Sequence, residues 1–322
     1  MSKTISEIRK LIESNPREFF AFDQHSTPEE VVFRFNLFAR NFYPKFFTSE
    51  DALFHKDIDL FNAKVWQRKI TSFLNIAFRG ASKTTRTKLF ITFAILNDQT
   101  RVRKYIKVLC REASNSSQFT TDIYNLLITV SSVYPSTFQK SALKREETMS
   151  GFTTHTGIKV QAGTIGTSQR GDIQDEARPD IIIFDDFEDR LTLRSAVITK
   201  TIWDTMEEAR TGLSKDGASI YLANYISEQG NVHKLVGKIE NKLVVPIIDG
   251  EPTWPQRYSV EDIGLIKKEA EDFEGEYLCK PNASKDIYIS REVLEVMQPR
   301  QPIKVIAGFK QFYEYNASHR YA

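Results

Sequence analysis

Short apolar runs alternate with longer amphipathic stretches through the middle of the chain. Five runs are continuous enough to form strands that are buried on both faces: 73–78, 105–110, 158–162, 180–184 and 218–223. Two stretches between them, 83–97 and 198–213, have the length and apolar spacing of crossover helices. This order predicts an α/β fold with a central, mostly parallel sheet flanked by helices.

The first part of the chain has helical spacing instead. A first helical segment carries Ile5, Ile8, Leu11 and Ile12 on one face and ends at Asn15 and Pro16. A second helix begins after Thr27 as N-cap, with Pro28 at its first position and Glu30 completing a capping box. Its apolar positions are Val31, Phe35, Phe38 and Phe42. The pattern predicts a helical N-terminal region whose aromatic side chains pack in the core.

The clearest boundary signal in the chain is the turn sequence at 249–252. Beyond it, Ser259 caps a further short helix. We therefore predict three parts: a helical region at 1–58, an α/β core at 59–250, and a small lid or linker subdomain at 251–322.

Composition adds limits to this picture. Hydrophobic residues make up 41% of the 322 residues and charged residues 27%, which is typical of a folded, water-soluble protein. No apolar run of about 18 residues and no secretion signal is found, so we expect a cytoplasmic protein without a membrane span. Cys110 and Cys279 lie far apart and indicate neither a disulfide nor a zinc site.

The formal net charge of +2 does not indicate nucleic-acid binding, so any such contact must come from a local basic patch. Two clusters are candidates: the first is Arg101, Arg103, Lys104 and Lys107, and the second is Lys140, Lys144 and Arg145. A solvated surface explains either cluster equally well.

The segment 73–85 has the pattern of a strand, a tight loop and a helix. Lys83 and Thr84 open the helix, where backbone N–H groups and the lysine can hold phosphate oxygens and the hydroxyl can bind Mg²⁺. The glycine-rich consensus is not met, because Ala77 and Ser82 occupy its two glycine positions. A helix that simply starts with lysine and threonine is the alternative interpretation.

A run of acidic residues closes the strand predicted at 180–184. Ligands of open α/β sheets bind at this carboxyl end of the strands. Asp185 is the candidate metal ligand, and Asp186 is the candidate that orients and deprotonates an attacking water. Glu188, which has the longer side chain, is a rival base, and a solvated acidic loop is the alternative to any catalytic role.

The segment 73–85, followed about a hundred residues later by the acidic strand end, resembles the ATPase domain of the large terminase subunit of tailed bacteriophages. The resemblance extends over about residues 60–285. In that family the phosphate loop commonly departs from the glycine-rich consensus and begins with an arginine, as this one does. The resemblance implies an additional-strand (ASCE) P-loop NTPase fold that binds ATP and Mg²⁺. It implies metal binding by Thr84 and Asp185, and nucleotide binding by Arg79, Gly80, Ala81, Ser82, Lys83, Thr84 and Thr85.

The resemblance also extends to residues outside the two segments. Gln67 lies in a segment similar to the family's adenine-recognising glutamine, and Asn224 stands where a polar side chain senses the γ-phosphate and couples hydrolysis to lid movement. Arg170, on the loop 163–171, is a candidate arginine finger acting on a neighbouring subunit, and Arg79 is a candidate within its own subunit. The sequence does not choose between the two arginines. A surface glutamine, a capped strand end and a surface arginine are the plain alternatives.

The function implied is ATP hydrolysis that drives double-stranded DNA into a procapsid in the host cytoplasm. The implied partners are the portal protein, the small terminase subunit and further copies of the chain in a ring. We expect no nuclease activity, because the metal-binding aspartates of the family's nuclease domain do not occur before residue 322.

Two other functions stay open on the sequence. A helicase-like DNA translocase shares the nucleotide residues, although it needs a second motor domain and the stretch after residue 250 is short for one. A nucleotide-gated DNA-binding or assembly module with weak hydrolysis is suggested by Ser82 and Asp186.

Overall fold

The computed structural model describes residues 14–132, 134, 150–154, 156–166, 178–248 and 250–282, with the backbone of 144–145, 304–306 and 309–311. Contacts between Cα atoms divide the chain into two compact units, 1–283 and 284–322. In the second unit, two short antiparallel strands pair, β9 at Lys304–Ile306 and β10 at Phe309–Gln311.

The helices and strands of the first unit alternate after an all-helical start. The helices are α1 Pro16–Phe20, α2 Pro28–Phe42, α3 Leu53–Trp66, α4 Lys83–Asn97, α5 Ala113–Thr129, α6 Arg190–Leu193, α7 Ala196–Thr211, α8 Asn231–Lys238, α9 Val260–Glu269 and α10 Phe273–Glu276. The strands are β1 Ser72–Ala77, β2 Tyr105–Cys110, β3 Lys144–Arg145, β4 Gly151–Thr153, β5 Lys159–Thr164, β6 Ile181–Asp185, β7 Ala218–Ala223 and β8 Lys242–Val245.

The eight strands form one sheet in the order β3-β4-β5-β2-β6-β7-β1-β8. All pairings from β5 to β8 are parallel, and β3 and β4 add an antiparallel edge. Strand β7 lies between β1 and β6, so an additional strand separates the strand that leads to Lys83 from the strand that ends in acidic residues. The predicted fold class is therefore confirmed, and the carboxyl ends of β1, β7 and β6 lie side by side.

The predicted elements of the sheet agree with the structure to within about two residues at most ends, as is usual for assigned boundaries. Strands β2 and β7 and helix α4 have the predicted bounds. Strand β8 is not predicted from the sequence, because it is short, begins with a lysine, and lies at the sheet edge with its side chains partly in solvent. Helices α3 and α5 are not predicted either, because buried polar side chains interrupt their apolar periodicity.

Both predicted helix caps are present, and each forms a capping box. The Thr27 hydroxyl accepts from the Glu30 backbone N–H (3.2 Å) and the Glu30 carboxylate accepts from the Thr27 N–H (2.8 Å). Ser259 and Asp262 make the same pair of bonds at the start of α9. Each such cap satisfies backbone donors that the helix itself leaves unpaired. The apolar face predicted at residues 5–12 lies outside the described residues.

The aromatic stripe of α2 packs in the core, as predicted. Phe35 and Phe38 are fully buried, and both rings contact the ring of Phe93 on α4, with centroids 5.7 and 5.4 Å apart. Burial of each such ring contributes roughly 1.5–3 kcal/mol. The N-terminal helices therefore help to fix the helix that opens at Lys83.

The first predicted basic cluster is divided by the structure. Arg101 and Lys104 are exposed, but Arg103 is 0% exposed and Lys107 only 3%. The Arg103 guanidinium donates to the backbone carbonyls of Val65, Trp66, Asp180 and Asp216. The prediction that Arg103 and Lys107 could contact DNA is therefore wrong, because both side chains are buried inside the fold. In the second cluster, Lys140 lies outside the described residues, and only the backbone of Lys144 and Arg145 is described.

Within the described part of the chain, no helix is both long and apolar enough to cross a membrane.

Candidate functional site

The loop between β1 and α4 makes a tight turn through two left-handed residues. Gly80 has φ +95° and Ser82 has φ +60°. A side chain at position 80 would also collide with the Tyr258 hydroxyl, which occupies the space that a Cβ would need. Ser82 stands at a glycine position of the consensus and adopts the left-handed conformation despite its Cβ, at a cost of order 1 kcal/mol. The serine is therefore compatible with the turn that the loop requires.

Lys83 is the first residue of α4 and directs its ammonium toward the carboxyl end of β7. Its Nζ donates to Asn224 Oδ1 (2.6 Å) and to the backbone carbonyl of Ala77 (3.3 Å). Two residues that lie far apart in the sequence are thus brought together. The pKa of Lys83 lies below its ordinary value, because the loss of hydration outweighs the attraction of Asp185 and Asp186.

Thr84 and Asp185 join the first turn of α4 to the end of β6. The Thr84 hydroxyl donates to Asp185 Oδ1 at 3.2 Å. The Asp185 side chain is almost fully buried, and burial together with the neighbouring charge of Asp186 raises its pKa to about 7. A hydroxyl and a carboxylate at this separation fit the hard oxygen donors that Mg²⁺ takes from proteins, with its other ligands from phosphate and water.

Asp186 follows β6 directly and differs sharply from its neighbour. Its side chain is exposed, and its backbone is left-handed, with φ +44°. The Asp186 carbonyl accepts a hydrogen bond from the Arg111 N–H at the end of β2 (3.3 Å). Left-handed non-glycine residues cost free energy and recur at functional sites, so this conformation supports a role for Asp186.

Glu188 has a different environment from the one that a base requires. Its Oε2 accepts from the Asn231 backbone N–H (2.5 Å) and its Oε1 lies 3.4 Å from the Val232 N–H, so the carboxylate caps the amino end of α8. Burial raises its pKa, and the two backbone donors oppose that shift. Gly230 is needed beside it, because an added Cβ would collide with the carboxylate.

Of the two candidate arginines, Arg79 lies within the described residues. The Arg79 side chain is 67% exposed and pairs with Glu276 of α10 (Nη1 to Oε2, 3.1 Å), while the Arg79 backbone N–H donates to the Glu276 carbonyl (3.0 Å). Arg170 lies outside the described residues.

Thr85 lines a cavity of about 240 Å³ between α4 and α5, together with Lys88 and Asp122.

Gln67 does not lie with the other predicted residues. It ends α3, and its Nε2 donates to the carbonyls of Ser26 (2.7 Å) and Asp23 (3.3 Å). The adjacent Arg68 contacts Val102 and Asp216, which precede β2 and β7. Gln67 is therefore at the amino ends of the strands, with the six residues of β1, about 20 Å, between it and the phosphate loop. The structure therefore does not bring Gln67 together with the other predicted nucleotide-binding residues, because a short loop leads from it into the start of β1.

His55 is a residue near the loop that the sequence analysis missed. It is fully buried on α3, its Nδ1 accepts from the Ala52 N–H (3.0 Å), and its ring lies 4.4 Å from the Trp254 ring. Burial and the charge of Arg86 lower its pKa to about 4, although the charge of Asp51 and the backbone of Ala81, in the loop between β1 and α4, partly oppose the shift. A single histidine within an amphipathic helix carries no signal for such a position.

Comparison with known proteins gives matches among solved structures alone. No family model matches the chain, and no curated protein does. Three of the similar structures belong to phage packaging proteins. A mutant of the large terminase ATPase domain of Thermus phage P74-26 matches at 13% identity and TM-score 0.42, over 66% of this chain and 89% of that one.

The large terminase of another thermophilic bacteriophage, in complex with ADP, matches at 13% identity and TM-score 0.42, over 67% of this chain. This chain spans 52% of that protein. The Phi-28 gp11 DNA packaging motor matches at 13% identity and TM-score 0.33, over 68% of this chain and 58% of its own.

Proposed function

We propose that the chain is the ATPase motor of a viral genome-packaging terminase, which hydrolyses ATP and translocates double-stranded DNA into a procapsid. The observation that carries the proposal is the meeting of three strand ends: Thr84 lies 3.2 Å from Asp185, and Lys83 lies 2.6 Å from Asn224. Ligands of open α/β sheets bind at this edge.

In the proposed site, the first turn of α4 holds the phosphates. Backbone N–H groups there have no partner one turn back, and the positive helix end and Lys83 favour the anionic ligand. Gly80, Ala81, Ser82 and Thr85 complete the loop around the phosphates. Thr84 and Asp185 would hold Mg²⁺, which supplies positive charge beside the terminal phosphates when it is bound.

Asp186 is the proposed catalytic carboxylate. It is exposed next to the metal candidates, whereas Glu188 uses its carboxylate to cap α8. An attacking water can donate a hydrogen bond to a free carboxylate, which orients it and accepts its proton. Asn224, already in contact with Lys83, is proposed to sense the terminal phosphate, and Arg79 to stabilise its charge; Arg170 of a neighbouring copy is the alternative arginine finger.

The packaging role rests on the resemblance of the arginine-led phosphate loop and its partner segments to large terminases. It brings with it double-stranded DNA, the portal protein of the procapsid, the small terminase subunit and a ring of copies in the host cytoplasm as proposed partners and setting. The boundaries at residues 58 and 250 remain proposals. Exposed Arg101 and Lys104 are the remaining described candidates for phosphate contacts from the first basic cluster.

ATP turnover of the wild type is the direct test, compared with Lys83→Ala, Asp185→Ala, Asp186→Ala and Glu188→Ala. We expect the first three variants to lose turnover and the fourth to keep much of it. Absence of turnover by the wild type, with the portal and DNA present, favours the nucleotide-gated module. DNA translocation into procapsids distinguishes the packaging motor from a helicase-like translocase, which would instead unwind or move along DNA without a portal.

A further inference from the structure

One carboxylate bridges two arginines at the mouth of the phosphate loop. Glu276 Oε2 lies 3.1 Å from Arg79 Nη1, and Glu276 Oε1 lies 2.8 Å from Arg190 Nη2. Arg79 belongs to the phosphate loop, and Arg190 opens α6 just after the acidic residues that follow β6. Glu276 itself comes from α10, in the segment that follows the core. Three separate parts of the chain therefore meet at this side chain.

The two arginines are held to different extents. Arg190 has a second carboxylate partner, Glu271, whereas Glu276 is the carboxylate that pairs with Arg79 among the described residues. The Arg79 side chain is 67% exposed and the Glu276 side chain only 12%. Arg79 can therefore turn away from Glu276 into the loop, while Glu276 stays fixed by Arg190.

The backbone fixes Glu276 beside the loop independently of its charge. The Arg79 N–H donates to the Glu276 carbonyl at 3.0 Å, and the Tyr258 hydroxyl from the same C-terminal segment lies against Gly80. The Glu276 side chain thus has a defined position even when its interaction with Arg79 is removed. A substitution that removes only the charge of Glu276 should therefore report on its interaction with Arg79 and leave the backbone in place.

We propose that Glu276 is a positioning residue that competes with the terminal phosphate of the bound nucleotide for Arg79. The inference rests on the proposed ATPase function. Arg79 pairs with Glu276 as long as no terminal phosphate is bound. The terminal phosphate of ATP, which has more charge and more acceptor oxygens than a carboxylate, takes the Arg79 guanidinium, and Glu276 remains with Arg190. ADP lacks that phosphate and leaves Arg79 on Glu276.

Neutralising Glu276 should shift nucleotide selectivity toward the triphosphate. In Glu276→Gln the side chain keeps its shape but loses the charge that retains Arg79, so binding of a triphosphate no longer has to break an ion pair. We expect the affinity for Mg–ATPγS, relative to Mg–ADP, to rise about five- to tenfold, as a coupling of order 1 kcal/mol between contacting groups gives. Glu276→Asp, which keeps the charge, should move the ratio much less.

The test is isothermal titration calorimetry of the full chain with Mg–ATPγS and with Mg–ADP. Glu271→Gln is the matched control, because it removes a carboxylate from Arg190 without touching Arg79, and its ratio should equal that of the wild type. In the Arg79→Ala background, Glu276→Gln should no longer change the ratio. Thermal melting of each variant shows whether it is folded, and Glu276→Ala serves as a second substitution that removes the charge should glutamine not be tolerated.

An unchanged ratio in folded Glu276→Gln, with both nucleotides still bound, contradicts the proposal and leaves the ATPase function standing. The same holds for an effect that persists without Arg79. Failure of the wild type to bind either nucleotide refutes the proposed function itself. The two failures are therefore distinct.

Discussion

The hydroxyl of Thr84 and the carboxylate of Asp185 lie 3.2 Å apart although 101 residues separate them in the chain. One opens a helix and the other ends a strand, and the sheet order brings both to the same edge. If the pair holds Mg²⁺, Thr84→Ser should keep ATP turnover within a few-fold, and Thr84→Ala should lower it by roughly a hundredfold, the scale of losing an aligned transition-state contact. Steady-state phosphate release at saturating Mg–ATP measures this. Equal activity in both variants contradicts the assignment.

Much of this site could be predicted from the sequence, because apolar runs show where strands end. Lys83 and Asp185 each follow such a run, and parallel strands bring their carboxyl ends together. Gln67 could not be placed in the same way. Its sequence neighbours resemble a motif, but only the tertiary structure shows that it lies at the amino ends of the strands, where it binds the backbone near Ser26.

Arg103 and Glu188 illustrate a second limit. Sequence gives a residue's charge but not its burial, so it predicts a surface basic cluster although Arg103 lies inside the fold, and it does not show that Glu188 caps α8. Strand β8 and the buried His55 are not predicted for another reason: neither a four-residue edge strand nor a lone histidine produces a periodic signal.

The different environments of Asp186 and Glu188 predict opposite effects of substitution. Asp186→Asn should remove most ATP turnover while leaving stability close to wild type, because its side chain is exposed. Glu188→Ala removes the cap of α8 and should lower the free energy of unfolding by about 0.5–2 kcal/mol while turnover persists below the melting temperature. Urea unfolding and phosphate release on the same preparations test both. Loss of turnover in a folded Glu188 variant restores it as the base.

Burial of Arg103 predicts that it matters for folding. Arg103→Ala removes the buried donor of four hydrogen bonds to backbone carbonyls, and we expect a loss of about 3 kcal/mol or more in the free energy of unfolding. Lys104→Ala, one position along and exposed, is the matched control and should change stability by less than about 0.5 kcal/mol. Chemical denaturation measures both. An Arg103 variant as stable as the control would contradict the buried arrangement.

Asn224 and Lys83 are in direct contact, but substitution of each should affect a different step. Lys83→Ala should abolish detectable nucleotide binding, because it removes the ammonium group at the start of α4. Asn224→Ala should change ATP affinity only a few-fold but lower the turnover number by roughly tenfold or more, as expected for a contact made mainly in the transition state. Calorimetric binding and steady-state kinetics check this split. A large loss of affinity with an unchanged turnover number would assign Asn224 to ground-state binding instead.

Buried His55 should make the fold sensitive to mild acid. Its pKa is about 4 in the folded chain, against an ordinary value of 6.5. Above pH 6.5 the ring is neutral in both the folded and the unfolded chain, so the full stability is present. Between pH 6.5 and 4 the unfolded chain binds a proton that the folded chain excludes, and the free energy of unfolding falls by up to about 3 kcal/mol. Below that range both states are protonated and the decline from this group ends.

His55→Gln isolates this contribution, because glutamine can still accept from the Ala52 N–H but does not titrate in this range. The difference in unfolding free energy between wild type and His55→Gln should therefore shift in favour of the variant as pH falls from 6.5 to 4. Comparison at equal pH cancels the contribution of other groups, including Asp185, whose raised pKa acts with the opposite sign. Parallel pH profiles for wild type and His55→Gln, from urea unfolding at each pH, would mean that His55 is protonated in the folded protein and that the loop beside it accommodates the charge.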